Sequence, residues 1–211
     1  MTADGMAVEE FLEVMRRLRA ECPWKAAQTH RSLTRYLLEE THEAVEAIDA
    51  GEASGDWDHL REELGDLLLQ VVFHAVIAEE AGRFDLDEVA AGITAKMRRR
   101  NPHVFAAGAT ASEDGAPLDA AAVNDLWERA KATERTEAPG AGDPITKGLP
   151  PTLPALLYAD KVLDRLDRAG RDAAVDGGDD LGERLLALVA EARHAGTDPE
   201  QALRDAVRRR L

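Results

Sequence analysis

The chain has 211 residues, of which 45% are hydrophobic, so it can form a folded core, and its single cysteine excludes an internal disulfide. The formal net charge of −15 disfavours binding to a nucleic-acid polymer, because the phosphate backbone is also negative. The N-terminus does not resemble a signal peptide and no long apolar run follows it, so we expect a cytoplasmic protein without a membrane span.

Apolar residues recur at helical spacing along most of the chain, and no long alternation of Val, Ile and Thr indicates strands. The sequence therefore predicts an all-α fold. Ser32 is expected to cap the second helix, and Asp85 and Glu88 fit a capping box for the fourth. Residues 51–56 are expected to form a loop. A last helix runs toward the C-terminus, and the predicted helices before it span about residues 6–20, 32–49, 58–80, 85–100, 120–133, 155–168 and 181–194.

The helix predicted over residues 32–49 places acidic residues on its apolar face. On a helical wheel at about 100° per residue, Glu40 falls among the apolar side chains and Glu43 at their edge. Glu39 and Glu46 point further outward. Glu40 and Glu43 are three residues apart, so they are neighbours on the helix surface. A buried carboxylate is unfavourable unless a proton or a cation compensates for its charge.

The next predicted helix, over residues 58–80, is apolar almost all round except for one polar strip, formed by Glu63, Asp66 and Gln70. Such a helix must be covered on both sides. Since a domain of this size offers little further cover, the sequence predicts a subunit interface on this helix.

Two inward acidic pairs on adjacent helices predict a divalent-cation site formed by Glu40, Glu43, Glu63 and Asp66. Four hard oxygen donors, without cysteine or clustered histidine, suit Mg²⁺, with Mn²⁺ as a substitute. The alternative is a non-enzymatic acidic helical scaffold, in which these acids line a solvated groove or pair with arginine.

A second alternative is a di-iron carboxylate bundle, which two ExxH motifs indicate, at Glu39 with His42 and at Glu191 with His194. The wheel argues against it, because His42 lies opposite Glu40 and His194 lies off its apolar face.

Several motifs together resemble one known family. EETHE, followed after 19 residues by ELGD, has the form ExxE…ExxD. This pattern resembles the MazG nucleoside triphosphate pyrophosphohydrolases of the all-α NTP pyrophosphatase superfamily. The same family resemblance extends to further stretches: CPW, QTH, YLLEE, REELGDLLLQVVFHA, EEAGRF, the basic run before PHVF and a helix with Trp and Lys. The resemblance covers about residues 6–131. It implies a four-helix-bundle-type domain completed by dimerisation, or by assembly into a higher homo-oligomer.

The resemblance implies hydrolysis of NTPs or dNTPs, including non-canonical or oxidised ones, to the nucleoside monophosphate and pyrophosphate with Mg²⁺, as in house-cleaning of the nucleotide pool. A dUTPase-like or phosphoribosyl-ATP-type activity stays open. Glu40, Glu43, Glu63 and Asp66 would be the metal ligands. Glu39 would not bind the metal itself. It would support the metal ligands or orient the attacking water.

The resemblance also implies substrate-binding residues. Lys96 and Arg100, four residues apart, would face the phosphates, and Trp127 and Lys131 would lie over the nucleotide. The loop before the acidic helix would shape the base pocket with Trp24, Gln28 and His30. Two departures from the family matter: Lys25 replaces the acid that usually follows CPW, and the C-terminal region lacks an ExxE helix.

Composition divides the chain into three parts. Proline and glycine are frequent at residues 136–154, which predicts a linker between a catalytic domain at 1–135 and a region at 155–211. In that region LGERLLALVAEA, from Leu181, matches LGDLLLQVVFHA, from Leu64, at six of twelve positions. This similarity indicates a degenerate, truncated second copy of the catalytic domain.

Overall fold

The computed structural model describes residues 3–106, 118–137, 143–171, 175 and 177–210. They form helices joined by turns and contain no strand, which confirms the predicted all-α fold in this part of the chain. The chain divides into two compact units, Met1–Ala109 and Thr110–Leu211. None of the described helices has the length and apolar character needed to cross a membrane.

In its described residues the first unit contains four longer helices and two single-turn helices. A core of Met15, Leu33, Val72, Phe73 and Val76 joins the first long helix to the central pair. Burying such large apolar side chains stabilises the fold by about 1.5–3 kcal/mol each. In chain order, the helices are α1 (Ala3–Glu21), α2 (Pro23–Ala26), α3 (His30–Ser54), α4 (Asp58–Glu80), α5 (Leu86–Arg100) and α6 (Pro102–Phe105).

Helix α3 begins earlier and ends later than the sequence analysis predicts. Thr29, not Ser32, is the N-cap: its hydroxyl accepts from the Ser32 amide, while the Ser32 hydroxyl accepts from the Thr29 amide. Ser32 has the right chemistry but lies at the third helical position, where it completes the capping box. The predicted capping box of Asp85 and Glu88 is present at α5.

Residues 51–54 are helical instead of forming the predicted loop, since α3 continues to Ser54. Gly51 is buried under the Trp57 ring, and a Cβ at Gly51 would lie 2.5 Å from a ring carbon. The missing side chain therefore lets Trp57 close the turn between α3 and α4. The helix ends at Ser54, and the left-handed backbone of its C-cap Gly55 (φ 76°) suits glycine.

The second unit contains α7 (Ala120–Glu137), α8 (Ala155–Arg168), α9 (Leu181–His194) and α10 (Pro199–Arg208). Helices α8, α9 and α10 pack on one another, and the buried apolar residues include Leu163 and Val189. Arg193 of α9 joins α8 through ion pairs with Asp160 and Asp164. Asp180, where the C-terminal sequence echoes ELGD, caps α9 by accepting from two backbone amides.

Candidate functional site

The acidic residues meet where α3 packs along α4. One carboxylate oxygen each from Glu40, Glu43 and Glu63 lies within 4.8 Å of the other two. Each helix presents its acids at three-residue spacing, which keeps them on one face. Packing α3 against α4 then brings these faces together. The sequence prediction that both helices turn these acids toward each other therefore agrees with the structure for these three residues.

The electrostatics of the cluster are unfavourable without a cation. Burial raises the pKa of Glu40, and the negative charge of Asp66 raises it further. Glu43 adds both its charge and a hydrogen bond to the neutral carboxyl, and the charge of Glu63 acts in the same direction. Glu40 therefore holds its proton more tightly than an ordinary glutamate does. A divalent cation would compensate for the clustered negative charge and so remove the repulsion that raises the pKa of Glu40.

Glu63 and Asp66 complete the acidic site from α4. The Glu63 side chain is only 12% exposed, and His59 Nδ1 lies 3.3 Å from its Oε1. Asp66 is half-buried and acts on Glu40 through its charge, although it is not one of the three residues whose oxygens cluster within 4.8 Å. Asp66 therefore belongs to the same electrostatic site but lies at its edge.

The cluster fits a small divalent cation. Mg²⁺ binds oxygen at about 2.1 Å, so opposite ligands of an octahedral site lie about 4.2 Å apart. Neighbouring ligands lie about 3 Å apart, so the three carboxylate oxygens, which lie within 4.8 Å of one another, would move inward by side-chain rotation to bind one cation. The group contains no histidine, which suits Mg²⁺ better than a di-iron centre with Glu and His ligands.

Glu39 and His42 lie outside this group. Glu39 is exposed, and its Oε1 lies 3.5 Å from Arg35 Nη2 in a surface ion pair. His42 is also exposed, as the helical wheel predicts. The role of Glu39 in orienting water stays a prediction, and it would require Glu39 to leave Arg35.

The segment of residues 23–29, called here the Trp24 loop, contains the single-turn helix α2 and is held by its own hydrogen bonds. Gln28 Nε2 donates to the Trp24 carbonyl at 3.0 Å, and Ser32 Oγ donates to Gln28 Oε1 at 2.7 Å. The Trp24 ring meets Tyr36 of α3 edge to face, with ring centroids 6.1 Å apart. Lys25 is the residue that replaces the usual acid after CPW. Its Nζ lies over the rings of both Trp24 and Phe73, at 5.4 and 5.2 Å from the ring centroids. Its ammonium therefore contacts aromatic faces instead of extending freely into solvent.

His30, at the start of α3, stacks on His74 of α4. Their rings are nearly parallel, with centroids 5.1 Å apart and Nδ1 atoms 2.7 Å apart. Burial and the neighbouring His30 lower the pKa of His74, so the pair favours a neutral His74. Because Glu63, Asp66 and His74 share one face of α4, the contact places His30 along the same side of that helix as the acids.

Arg19 is a residue that sequence reasoning missed. Its side chain is 9% exposed and pairs with Glu80 at the end of α4. Its Nη1 also donates to the carbonyls of Lys25, Ala26 and Gln28. Arg19 thus ties the Trp24 loop to the helical core. No local pattern around Arg19 predicts this, because its partner Glu80 lies 61 residues away.

The remaining predicted residues lie on two other helices. Lys96 is exposed and Arg100 half-buried on α5, in the first unit. Trp127 and Lys131 lie on α7, in the second unit, where Lys131 Nζ is 2.6 Å from Glu128 Oε1. Their contacts with a nucleotide stay predictions.

Comparison with known families gives one domain match, the MazG nucleotide pyrophosphohydrolase domain, over residues 28–105. This span contains all four acids of the site together with Lys96 and Arg100, whereas Trp127 and Lys131 lie beyond it.

Curated relatives match nearly the whole chain. The nucleoside triphosphate pyrophosphohydrolase of Escherichia coli K12 is 37% identical over 94% of this chain and 82% of its own length. The nucleoside triphosphate pyrophosphohydrolase/pyrophosphatase MazG of Thermotoga maritima is 33% identical over 99% of this chain and 84% of its own length. An uncharacterised protein of Streptomyces cacaoi is 42% identical over 96% of this chain and 78% of its own length.

Proposed function

This chain belongs to the MazG nucleotide pyrophosphohydrolase family, and we propose that it hydrolyses nucleoside triphosphates between the α- and β-phosphates. The products are the nucleoside monophosphate and pyrophosphate. The observation that carries the proposal is the cluster of Glu40, Glu43 and Glu63 within the family match, a donor set suited to the cation that accompanies a triphosphate.

In this proposal Glu40, Glu43, Glu63 and Asp66 hold Mg²⁺, with Mn²⁺ as a substitute. The bound cation would supply neutralisation of phosphate charge and activation of water. The chain contributes the fixed spacing of the carboxylates. Helices α3 and α4 pack along each other, so the acids are held by two rigid elements and not by a loop.

The bond changes balance with water as the only co-reactant. The water oxygen forms a bond to the α-phosphorus, and the bond from that phosphorus to the oxygen bridging to the β-phosphate breaks. The electron pair leaves with pyrophosphate, and a proton from water passes to a base. Glu39 is the candidate for orienting that water, since it adjoins Glu40 in sequence. Such in-line displacement depends mainly on positioning and charge stabilisation.

Substrate-binding roles follow from side-chain chemistry. Lys96 and Arg100 carry the positive charge that phosphate oxygens require. Trp24 offers an aromatic face to a base, while Gln28 holds the loop that carries it. His30 adds a polar ring beside this loop. Trp127 and Lys131 are proposed to stack on the nucleotide and to meet phosphate, respectively.

We also propose that the enzyme is a homodimer or a higher homo-oligomer. Leu64, Leu68 and Val71 share one face of α4 and are 53%, 40% and 43% exposed. Leu38 of α3 is also exposed. A second copy of the chain would cover these apolar side chains and complete the packing that α4 lacks. The proposal includes the division into a catalytic domain at 1–135, a linker at 136–154 and a degenerate second copy at 155–211.

The proposed biological role is removal of non-canonical or oxidised nucleotides. A panel of canonical and oxidised NTPs and dNTPs, each with Mg²⁺, tests both the reaction and its preferred substrate. Pyrophosphate and orthophosphate are measured separately. Running the reaction in ¹⁸O-water distinguishes the site of attack, because attack at the α-phosphorus places the label in the monophosphate.

The expected result is equimolar monophosphate and pyrophosphate, with ¹⁸O only in the monophosphate. Orthophosphate as the primary product, or ¹⁸O in pyrophosphate, would contradict cleavage at the α-phosphorus. Equal rates for canonical and oxidised nucleotides would contradict the proposed role without affecting the proposed reaction.

A further inference from the structure

Gln70 is the one polar or charged side chain that is fully buried in the described part of the chain, at 4% exposure. Its carboxamide oxygen, Oε1, is inaccessible to solvent and accepts no hydrogen bond from the protein. A buried acceptor without a donor is unfavourable, because it has lost its hydrogen bond to water without a replacement. Groups of this kind are rare in folded proteins, and an ordered water molecule or an ion is a common partner for them.

Gln70 lies on the same face of α4 as the acids. On a helical wheel it falls about 20° from Glu63 and about 40° from Asp66. It follows Asp66 by four residues, about 6 Å along the helix axis. This face of α4 points toward α3, because the Glu63 carboxylate meets Glu40 there. Gln70 therefore lies one helical turn beyond Asp66 and about two turns beyond Glu63.

The chemistry of Oε1 selects its partner. A carboxamide oxygen only accepts hydrogen bonds, as do carboxylate and phosphate oxygens, so none of these can satisfy it. The partner must be a hydrogen-bond donor or a cation. Mg²⁺ in proteins usually keeps several of its water ligands, and those waters are hydrogen-bond donors. A water molecule is also small enough for a site that is closed to solvent in the unliganded protein.

We propose that Gln70 is a positioning residue of the cation site, and that its Oε1 accepts a hydrogen bond from a water molecule bound to the cation. This inference rests on the cation site of the proposed function. The amide nitrogen of Gln70 can then donate to Asp66, since Gln and Asp four residues apart on a helix are within hydrogen-bonding reach. That contact would turn the Asp66 carboxylate toward the three clustered glutamates.

Groups that orient metal ligands typically change metal affinity by about 10- to 100-fold when they are replaced. The test is calorimetric titration of the full chain with Mg²⁺ alone, without nucleotide. Gln70→Met keeps the side-chain length but removes both polar atoms, and its Kd for Mg²⁺ is expected to rise at least about tenfold. Gln70→Glu keeps an acceptor oxygen but loses the amide that donates to Asp66, so its Kd for Mg²⁺ is expected to lie between those of the wild type and Gln70→Met. Gln201→Met, the same change on α10, is expected to leave the Kd unaltered.

The stability of the metal-free protein gives a second measurement. In EDTA, Gln70→Met is expected to unfold at the same or a higher urea concentration than the wild type, because it removes an unsatisfied acceptor. A wild-type Kd in Gln70→Met, or binding in Gln70→Glu that is no tighter than in Gln70→Met, would overturn the proposal. Failure of Gln70→Met to fold in EDTA would also overturn it, since the protein itself would then be using the amide.

The titration is independent of turnover. A wild type that binds Mg²⁺ but releases no pyrophosphate would contradict the proposed reaction and leave the role of Gln70 standing. A wild type that binds no Mg²⁺ would overturn both the cation site and the role of Gln70.

Discussion

Replacing Glu63 by glutamine is expected to make the protein more stable than the wild type in EDTA and less stable in Mg²⁺. Glu63 is suited to this test because its side chain is mostly buried and its carboxylate lies within 4.8 Å of those of Glu40 and Glu43. Glutamine keeps the shape and removes the charge. Only a cation site predicts that the order of stability reverses.

The expected size of the effect follows from the spacing. Two unit charges 4.8 Å apart repel by about 0.9 kcal/mol in bulk water and by about 3.5 kcal/mol at an effective dielectric constant of 20. The partly exposed cluster and the raised pKa of Glu40 weaken this repulsion, and Glu63→Gln also loses its contact with His59. A net gain of about 1 kcal/mol in EDTA is therefore expected.

Mg²⁺ at one hundred times the wild-type Kd stabilises the wild type by about 2.7 kcal/mol. If the variant binds Mg²⁺ one hundredfold more weakly, it gains only about 0.4 kcal/mol. In Mg²⁺ the variant is then about 1.3 kcal/mol less stable than the wild type. For a domain of this size, 1 kcal/mol corresponds to about 4 °C in Tm.

The assay is thermal unfolding of wild type, Glu63→Gln and Glu46→Gln, each in EDTA and in Mg²⁺. Glu46 is the matched control because it is an exposed glutamate on α3, and its variant is expected to show the wild-type response to Mg²⁺. A wild type whose Tm does not rise with Mg²⁺ would support the acidic scaffold instead. A full wild-type shift in Glu63→Gln would remove Glu63 from the ligand set.

Two further predictions concern the Trp24 loop and the exposed face of α4. Arg19→Met is expected to lower the free energy of unfolding by about 3 kcal/mol and to raise KM for the nucleotide more than it lowers kcat, because three loop carbonyls and Glu80 lose their donor. Arg17→Met, on the exposed side of α1, is expected to change neither the stability nor KM. An unchanged KM in Arg19→Met would contradict the positioning role of Arg19. Sedimentation of the 22.9 kDa chain is expected to give at least twice the monomer mass, and Leu64→Asp is expected to shift it to the monomer; a monomeric wild type would refute the predicted assembly.

Local sequence was sufficient to predict most helices and the helical faces that carry the acids. Helix α4 and helices α8 and α9 have the predicted limits, since apolar periodicity is a local property. The helical period alone placed Glu40 and Glu43 on one face of α3 and Glu63 on one face of α4. The ExxE…ExxD spacing then indicated the family, which the relatives confirm.

The ends of α3 show where local reasoning failed. Ser32 and Thr29 have similar capping chemistry, and only the backbone at residue 29 decides which of them is the cap. The glycine at position 51 indicated a loop, yet the helix continues because Trp57 packs where a side chain would stand. A glycine required for a close contact and a glycine that ends a helix look alike in the sequence.

By itself the sequence determined the all-α class, the helical faces that carry the acids and the family to which the chain belongs. The tertiary structure decided which distant groups meet: Arg19 with Glu80 and the loop carbonyls, and His30 with His74. It also decided that Gln70 is buried without a donor for its oxygen. The physical reason is that helical periodicity specifies which side chains share a face, whereas contacts between faces depend on how separate helices pack, and no local repeat records that.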